Sequence, residues 1–370
     1  MTSLPKVSFT KDHNSEFYKT LKMRVNEYFK NNKISKHANN AMVFKTIVML
    51  SMYLVPFGLL FVPGMHNLYY LLLWIIMGIG MAGIGLSVMH DANHGAYSKN
   101  KTVNAFVGKV LLLLGGNDAN WRIQHNVLHH TYTNVTDLDE DIDAPTVFLR
   151  FSPHKKRYFI HRFQHLYAWF FYGLMTMVWF ISKDYKQAAR YQKMGLVEGQ
   201  GISFKQHLTI IVSGKIVYTL VFILLPFLLS PANWYVTLLG YLTMQFIAGF
   251  ILGIIFQPAH VVPSSNYPMP DNSGNIQADW AVSQLYNTSN FAPKARLFSW
   301  YVGGLNYQVE HHLFPSICHV HYRKIADIVK TTAEEYNLPY HSYRSFLGAL
   351  KDHSKMLYAL GHQDLAPAIH

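Results

Sequence analysis

Thiol chemistry is almost absent from this 370-residue chain, because Cys318 is its only cysteine. No intramolecular disulfide can form, and no cysteine-based zinc site can be built. Charge is scarce as well: Asp, Glu, Lys and Arg make up 14% of the residues, against about 25% in soluble domains. No signal peptide precedes the first apolar run; residues 1–40 are polar and lysine-rich, and that run starts near Ala41. Thr2 excludes N-myristoylation, and the C-terminus carries no prenylation box. There is no internal repeat, no low-complexity segment, no Ser-His-Asp arrangement and no phosphate loop.

Apolar residues and histidine are what the chain has in excess. Half of it is hydrophobic, 15% is aromatic, and 21 residues are histidine. Four runs are close to the ~20 residues that a bilayer core requires. They are Met42–Val62, Leu68–Met89, His207–Leu229 and Trp234–Phe256. The links within each pair, Pro63–Asn67 and Ser230–Asn233, are short and hold no Lys or Arg, so the runs read as two helical hairpins. The net charge of +12 sits beside the spans: nine Lys and Arg in residues 1–45, fourteen in 89–206 and eight in 257–370. No nucleic-acid motif accompanies this charge. The positive-inside rule accounts for it and puts both termini and the long middle segment in the cytosol. Lys215 lies within the third run and is expected to snorkel toward the cytosolic face. Val103–Gly116 is too short to cross. Leu166–Ile181 is read as an interfacial helix, since a lone crossing would put histidines before and after it on opposite sides. Phe17, Leu21, Val25, Tyr28 and Phe29 have near-helical spacing among lysines. That helix lies on the membrane surface or packs on the cytosolic part of the chain.

The histidines fall into clusters. HDANH places His90 and His94 four apart at the end of the second run, on one helix face. HNVLHH places His125 and His129 on one face, with His130 about 100° round the helix. NYQVEHH repeats the pattern, with Gln308 where a histidine would fit, followed by His311 and His312. His260, in FQPAH, follows the fourth run at the depth where His90 follows the second. These eight imidazoles are too many for one metal and suit two. With no thiolate available, two redox irons fit better than zinc.

The order HxxxH, HxxxHH, QxxHH, with HHTYTN after the second box and EHHLFP and HVHY after the third, resembles the membrane fatty acid desaturase superfamily from about Ala41 to Tyr322. The Gln-headed third box is similar to front-end and related acyl-lipid desaturases. The resemblance implies an all-α membrane protein: four transmembrane helices in two hairpins, and a cytosolic helical cap that holds a di-iron site. It implies His90, His94, His125, His129, His130, His260, His311 and His312 as iron ligands, and O2 as co-substrate. It departs from the family pattern at Gln308, where relatives can have a ligating histidine, and at Phe256, where they can have Asn four residues before His260. The fused cytochrome b5 domain of many front-end members, with its HPGG motif, is not found here. A separate donor, ferredoxin or cytochrome b5 with its reductase, is therefore expected, and a bacterial inner membrane is favoured over the endoplasmic reticulum.

Within that scheme residues 1–40 form a partly amphipathic N-terminal segment, 41–322 the desaturase domain and 323–370 a cytosolic C-terminal segment. The acidic run Asp137, Asp139, Glu140, Asp141, Asp143 is not an EF-hand, because Ile142 and Phe148 stand where Gly and Glu are needed. Ligating histidines usually donate their other N–H to a carboxylate or carbonyl, and Asp139 and Asp143 are the candidates. Glu310 and Gln308 are further supporting groups, Gln308 holding a metal-bound water in one version. His154, Lys155, Lys156 and Arg157 form a basic run, and His319 and His321 are expected in structural hydrogen bonds. An alkyl C–H bond offers no acidity to exploit, so a metal–oxygen oxidant must start the reaction. The expected reaction places a cis double bond in an acyl chain carried on a lipid, CoA or carrier protein. A hydroxylase on the same scaffold is the enzymatic alternative. A membrane metal-binding or transport protein is the distant one, and it predicts a polar path through the spans.

Overall fold

The computed structural model describes residues 7–10, 15–143 and 147–363; Thr2 and the C-terminal residues after Gln363 lie outside them. The chain is an all-α membrane protein. Among the described residues the only strands are two-residue parallel pairings, Ser8–Phe9 with Asn275–Ile276 and Asn290–Phe291 with Ser342–Tyr343. The chain divides into two compact units. Of the described residues, one comprises Asn39–Ile123 and Trp169–Ile254, the other those up to Ala38, those of Gln124–Ala168 and those from Ile255 onward.

The first unit carries the helices long and apolar enough to cross a membrane: Asn40–Leu59, Asn67–Asn93, Phe204–Leu229 and the greater part of Trp234–His260. Each matches an expected span to within a few residues. The starts of the first three are capped by side chains that satisfy otherwise unpaired amides. The Asn39 side chain accepts from the Met42 amide at 3.1 Å, and Ser203 and Gln206 form a reciprocal capping box. Two hairpins result, and their turns are joined where the Ser230 hydroxyl donates to the Leu60 carbonyl at 2.8 Å. Glycine lets the helices approach closely. A Cβ on Gly78 would lie 2.8 Å from the Met244 carbonyl, and one on Gly80 would lie 2.8 Å from the Met52 carbonyl carbon. Outward-facing side chains are apolar, Phe44, Ile47, Leu228 and Leu239 among them, as a lipid-facing surface requires.

Two readings of this unit are revised or filled in. Lys215 does not snorkel to a water interface. It is 7% exposed, and its ammonium meets Asp184 Oδ2 at 2.6 Å, Gly115 O at 2.5 Å and Trp179 O at 3.2 Å. Three donors thus find three acceptors. Asp184 Oδ1 in turn accepts from Trp179 Nε1 at 2.9 Å and Asn120 Nδ2 at 3.1 Å. An ion pair was available inside the unit, so the side chain had no need to reach out. The apolar run after Trp169 is not one continuous helix, since it breaks at Leu174 and contains a π-turn at Trp179–Lys183. It packs along the fourth span: the Thr176 hydroxyl donates to Gln245 O at 2.8 Å, and a Cβ on Gly249 would lie 2.7 Å from Gly173 O. Val103–Gly116 stays short, ending at Gly115 in the left-handed conformation (φ 78°).

The second unit is built on helices that pack by amphipathic faces. Ser15–Asn31 buries Phe17, Leu21, Val25 and Phe29 against Ala281, Leu285, Val309, Leu313, Ile325 and Val329. The N-terminal helix therefore takes the packed alternative, with its apolar stripe enclosed by the helices Trp280–Asn287, Gln308–Leu313 and Tyr322–Glu335. Burial of four such side chains stabilises the unit by roughly 1.5–3 kcal/mol each, an upper bound given residual contacts in the unfolded chain.

Candidate metal centre

The second histidine box lies on a π-turn rather than an α-helix. Arg122–His129 is wound with five-residue hydrogen bonds, and the His130 amide continues the pattern by donating to His125 O at 3.0 Å. A wider turn advances less per residue, so positions four and five apart come onto one side. The rings of His125 and His129 stack 5.0 Å apart, and that of His130 stands at 88° to His125 with centroids 4.8 Å apart. Sequence spacing had set His130 about 100° away; the π-turn brings it back.

The third box and His260 meet this turn within the same unit. His130 Nε2 lies 3.0 Å from His311 Nε2 and 3.3 Å from His125 Nε2. The His312 ring is 4.4 Å from that of His130, 4.8 Å from His129 and 4.9 Å from His260. Six imidazoles thus share one buried pocket. His129, His260 and His312 offer nitrogens mutually within 4.8 Å, as do His130, His311 and His312. The Phe256 ring stands edge-on to His125 at 6.0 Å. In the other unit His90 and His94 lie with rings 4.7 Å apart, each 5.4 Å from the Trp121 ring. Arg122, beside Trp121, binds Asp118 at 2.7 Å and Asn93 Oδ1 at 3.1 Å.

Four rings of the pocket are held through Nδ1. His125 Nδ1 meets Asp141 Oδ2 at 2.8 Å, and His129 Nδ1 meets Asp139 Oδ1 at 2.9 Å. His311 Nδ1 lies 3.2 Å from the Tyr322 hydroxyl, and His312 Nδ1 lies 2.9 Å from Gln284 Oε1. An imidazole that donates from Nδ1 keeps a bare lone pair on Nε2. His129 Nε2 is buried with no hydrogen-bond partner among the described residues. A buried acceptor left open in this way is unfavourable unless a cation takes it. Nitrogens bound at about 2.1 Å to one metal, at angles between square and tetrahedral, lie about 3.0–3.4 Å apart, which is the spacing found around His130. The clusters can hold metal ions.

Electrostatics follow the same arrangement. Burial works against a charged His129 ring, but the carboxylates of Asp139 and Asp141 outweigh it, so its pKa lies above the usual value. Asp139 is itself fixed by the Asn134 amide, which donates to Oδ2 at 2.8 Å. Asn134 takes the left-handed conformation (φ 62°) and donates from its side chain to His260 O at 3.1 Å.

The other expected supporting residues divide. Asp139 touches His129 as described. Asp143 does not meet a ring; it binds Lys155 at 2.9 Å, which also binds Asp137 at 2.7 Å. Glu310 is held by Tyr340 and Asn290, each at 2.8 Å, and burial pushes its carboxyl up to about 7. Gln308 donates from Nε2 to Leu305 O at 2.7 Å, while its Oε1 is buried without a hydrogen-bond partner among the described residues. His321 makes a structural contact, Nε2 to His37 O at 3.1 Å. Three residues were missed. Asp141 was visible in the acidic run, but Asp139 Oδ1 accepts its amide at 2.9 Å and that turn aims it inward. Gln284 and Tyr322 come from distant helices and carried no local signal.

Known proteins match this arrangement over most of the chain. The fatty acid desaturase profile covers residues 65–344. An acyl-lipid (8-3)-desaturase of Physcomitrium patens is 34% identical over 94% of this chain and 72% of its own length. A sn-1 linoleoyl-lipid 6-desaturase of Arthrospira platensis is 34% identical over 90% of this chain and 89% of its own. A second protein of that name, from Synechocystis, is 32% identical over 98% of this chain and 99% of its own. With helices of membrane-spanning length, a pocket of converging imidazoles and relatives matched over nine-tenths or more of this chain, this chain belongs to the fatty acid desaturase family and is an oxidoreductase of that kind.

Proposed function

We propose that this chain is a dioxygen-dependent acyl-lipid desaturase that places a cis double bond in a long acyl chain. The observation that carries the reading is His130 Nε2, 3.3 Å from His125 Nε2 and 3.0 Å from His311 Nε2, beside an open Nε2 on His129. We assign His125, His129, His130, His260, His311 and His312, together with His90 and His94 of the HDANH motif, to two irons. Bound iron supplies the oxidising power toward an unactivated C–H bond that no side chain here possesses. The chain's own residues prepare for that chemistry. Asp141, Asp139, Tyr322 and Gln284 hold four rings through Nδ1 and fix which nitrogen faces inward. Thr133 adds a hydroxyl 3.2 Å from His312 Nδ1. Burial of all six rings keeps bulk water from the pocket.

The balance of the reaction calls for an external donor. Removing two hydrogens from the acyl chain yields two electrons and two protons. Reducing O2 to two waters takes four of each, so two electrons and two protons come from elsewhere. A ferredoxin or cytochrome b5 with its reductase fits that requirement. The substrate is an acyl chain on a membrane lipid, in keeping with what the relatives' names say of them. The distribution of lysine and arginine supports cytosolic termini.

The test is expression in a host of defined lipid composition, followed by mass spectrometry and double-bond mapping. Loss of two hydrogens from one acyl species supports the reading. Gain of one oxygen would make the chain a hydroxylase, and unchanged lipids would remove the proposal.

A further inference from the structure

In the second unit, the turn that ends the N-terminal helix gathers cations. Lys30, Lys33 and Lys36 are all exposed, and Lys33 takes the left-handed conformation (φ 52°), which turns the chain sharply after the helix. Between them lies Ile34, an apolar side chain 40% exposed. This turn lies across the start of the helix Tyr322–Glu335. The Cys318 amide donates to Lys36 O at 2.9 Å, His321 Nε2 meets His37 O at 3.1 Å, and the Phe29 and His321 rings are 5.2 Å apart. Arg323 and Lys324, both exposed, follow directly. None of these five cations forms an ion pair among the described residues, whereas farther along the same helix pair Arg24 binds Glu335 at 2.8 Å and Lys330 binds Glu334 at 3.8 Å.

What lies beneath this patch sets it apart from ordinary surface charge. Tyr322, next to Arg323, is 1% exposed, and its hydroxyl is 3.2 Å from His311 Nδ1. One buried side chain therefore separates the cationic surface from a ring of the histidine pocket. Exposed, unpaired cations beside an exposed apolar side chain are the kind of surface that an acidic partner recognises.

We propose that Lys30, Lys33, Lys36, Arg323 and Lys324, around Ile34, form the docking site of an acidic one-electron carrier protein, which delivers its electrons behind Tyr322 and His311. The inference rests on the desaturase reading. Two dockings supply the two electrons of one turnover, each leaving the carrier oxidised by one electron, and the protons come from solvent. The rival occupant is an anionic bilayer, because Lys36 stands shortly before the first span and basic segments there attract acidic lipid. Arg323 and Lys324, brought to the same place from far along the chain and set over Tyr322, favour the carrier.

The test uses the full chain in nanodiscs of neutral lipid, assayed for double-bond formation with two reductants: a reduced plant-type [2Fe–2S] ferredoxin, and dithionite with a small mediator. Wild-type turnover with dithionite checks the desaturase reading by itself. For the variant Lys33→Glu, Lys36→Glu, Lys324→Glu we expect a KM for ferredoxin raised at least about tenfold, a weakened salt dependence of that KM, and unchanged turnover with dithionite. Unchanged ferredoxin kinetics would overturn the proposal. So would loss of binding to phosphatidylglycerol vesicles with unaltered ferredoxin KM, which would assign the patch to the membrane. An equal loss with both reductants would show a folding defect in the triple variant. The single variant Lys324→Glu then decides, with a ferredoxin-specific rise in KM expected and its absence overturning the site.

Discussion

Two buried polar constellations can be set side by side, one in each unit. In the first unit Lys215 offers three donors and meets three acceptors, and both oxygens of Asp184 are engaged. In the second, carboxylates and amides satisfy one nitrogen of each of several rings and leave the other facing its neighbours. Both contain charge or potential charge removed from water. A network in which every ammonium donor meets a carboxylate or carbonyl oxygen holds helices in place. A network that satisfies only the outer half of each ring prepares a surface of lone pairs for something else. Burial of polar residues in an apolar chain is therefore not in itself a sign of chemistry; several imidazole nitrogens turned toward one another are.

The comparison can be broken most severely at the pocket. His129→Ala, which removes a ring whose Nε2 has no hydrogen-bond partner among the described residues, should abolish desaturation and lower the iron content of purified protein, read by elemental analysis and product mass spectrometry. Retention of both would end the assignment. In the first unit Lys215→Met should leave Asp184 buried and unpaired, lowering stability by about 3–5 kcal/mol. Lys215→Met combined with Asp184→Leu should recover most of it, measured by thermal unfolding in detergent. A network of purely structural use predicts unchanged turnover per folded, iron-loaded molecule in the double variant. Asp139→Asn tests the support of His129 and should reduce metal affinity or activity about 10–100-fold, with the fold intact by circular dichroism.

The mildest test uses a histidine outside both networks. His353 is buried, its Nδ1 lies 2.8 Å from the Val261 carbonyl, and burial lowers its pKa from 6.5 to about 4. The folded protein thus binds fewer protons than the unfolded chain once pH falls below 6.5. Stability from this residue is complete above that value and declines as pH drops toward 4. From pH 7.5 to pH 5 the loss should be about 2 kcal/mol. His353→Gln should show a correspondingly smaller decline; an identical decline in both proteins would remove His353 as its source.

Much of this was legible from composition and spacing because it depends on local pattern. The four spans stood out by length and polarity, and Phe17, Leu21, Val25 and Phe29 announced a helix whose apolar face the second unit encloses. The histidine boxes were visible as motifs, and Asp139 as a neighbour of one ring. What escaped depends on tertiary partners. Lys215 looked like a misplaced charge because Asp184, over thirty residues earlier, carries no mark of its burial. Asp143 and Asp141 are two residues apart, and only the turn at Asp139 decides which faces a ring and which faces Lys155. Gln284 and Tyr322 reach the pocket from helices that read as ordinary amphipathic segments. Gln245, one of the two clearest polar residues within the spans, has its Nε2 bound by the Tyr218 and Tyr241 hydroxyls at 2.8 and 3.2 Å.

The π-turn at Arg122–His129 has an evolutionary corollary. Side chains on an α-helix can be exchanged with little effect on their neighbours' bearing, but here the alignment of His125 with His130 depends on the number of residues wound into the turn. Removing one residue between them would restore ordinary winding and rotate every later ring away from its partners. Substitutions in this stretch away from His125 and His129 should accordingly be tolerated far more widely than indels, so that among descendants of this gene the interval keeps its length while the residues between the histidines drift.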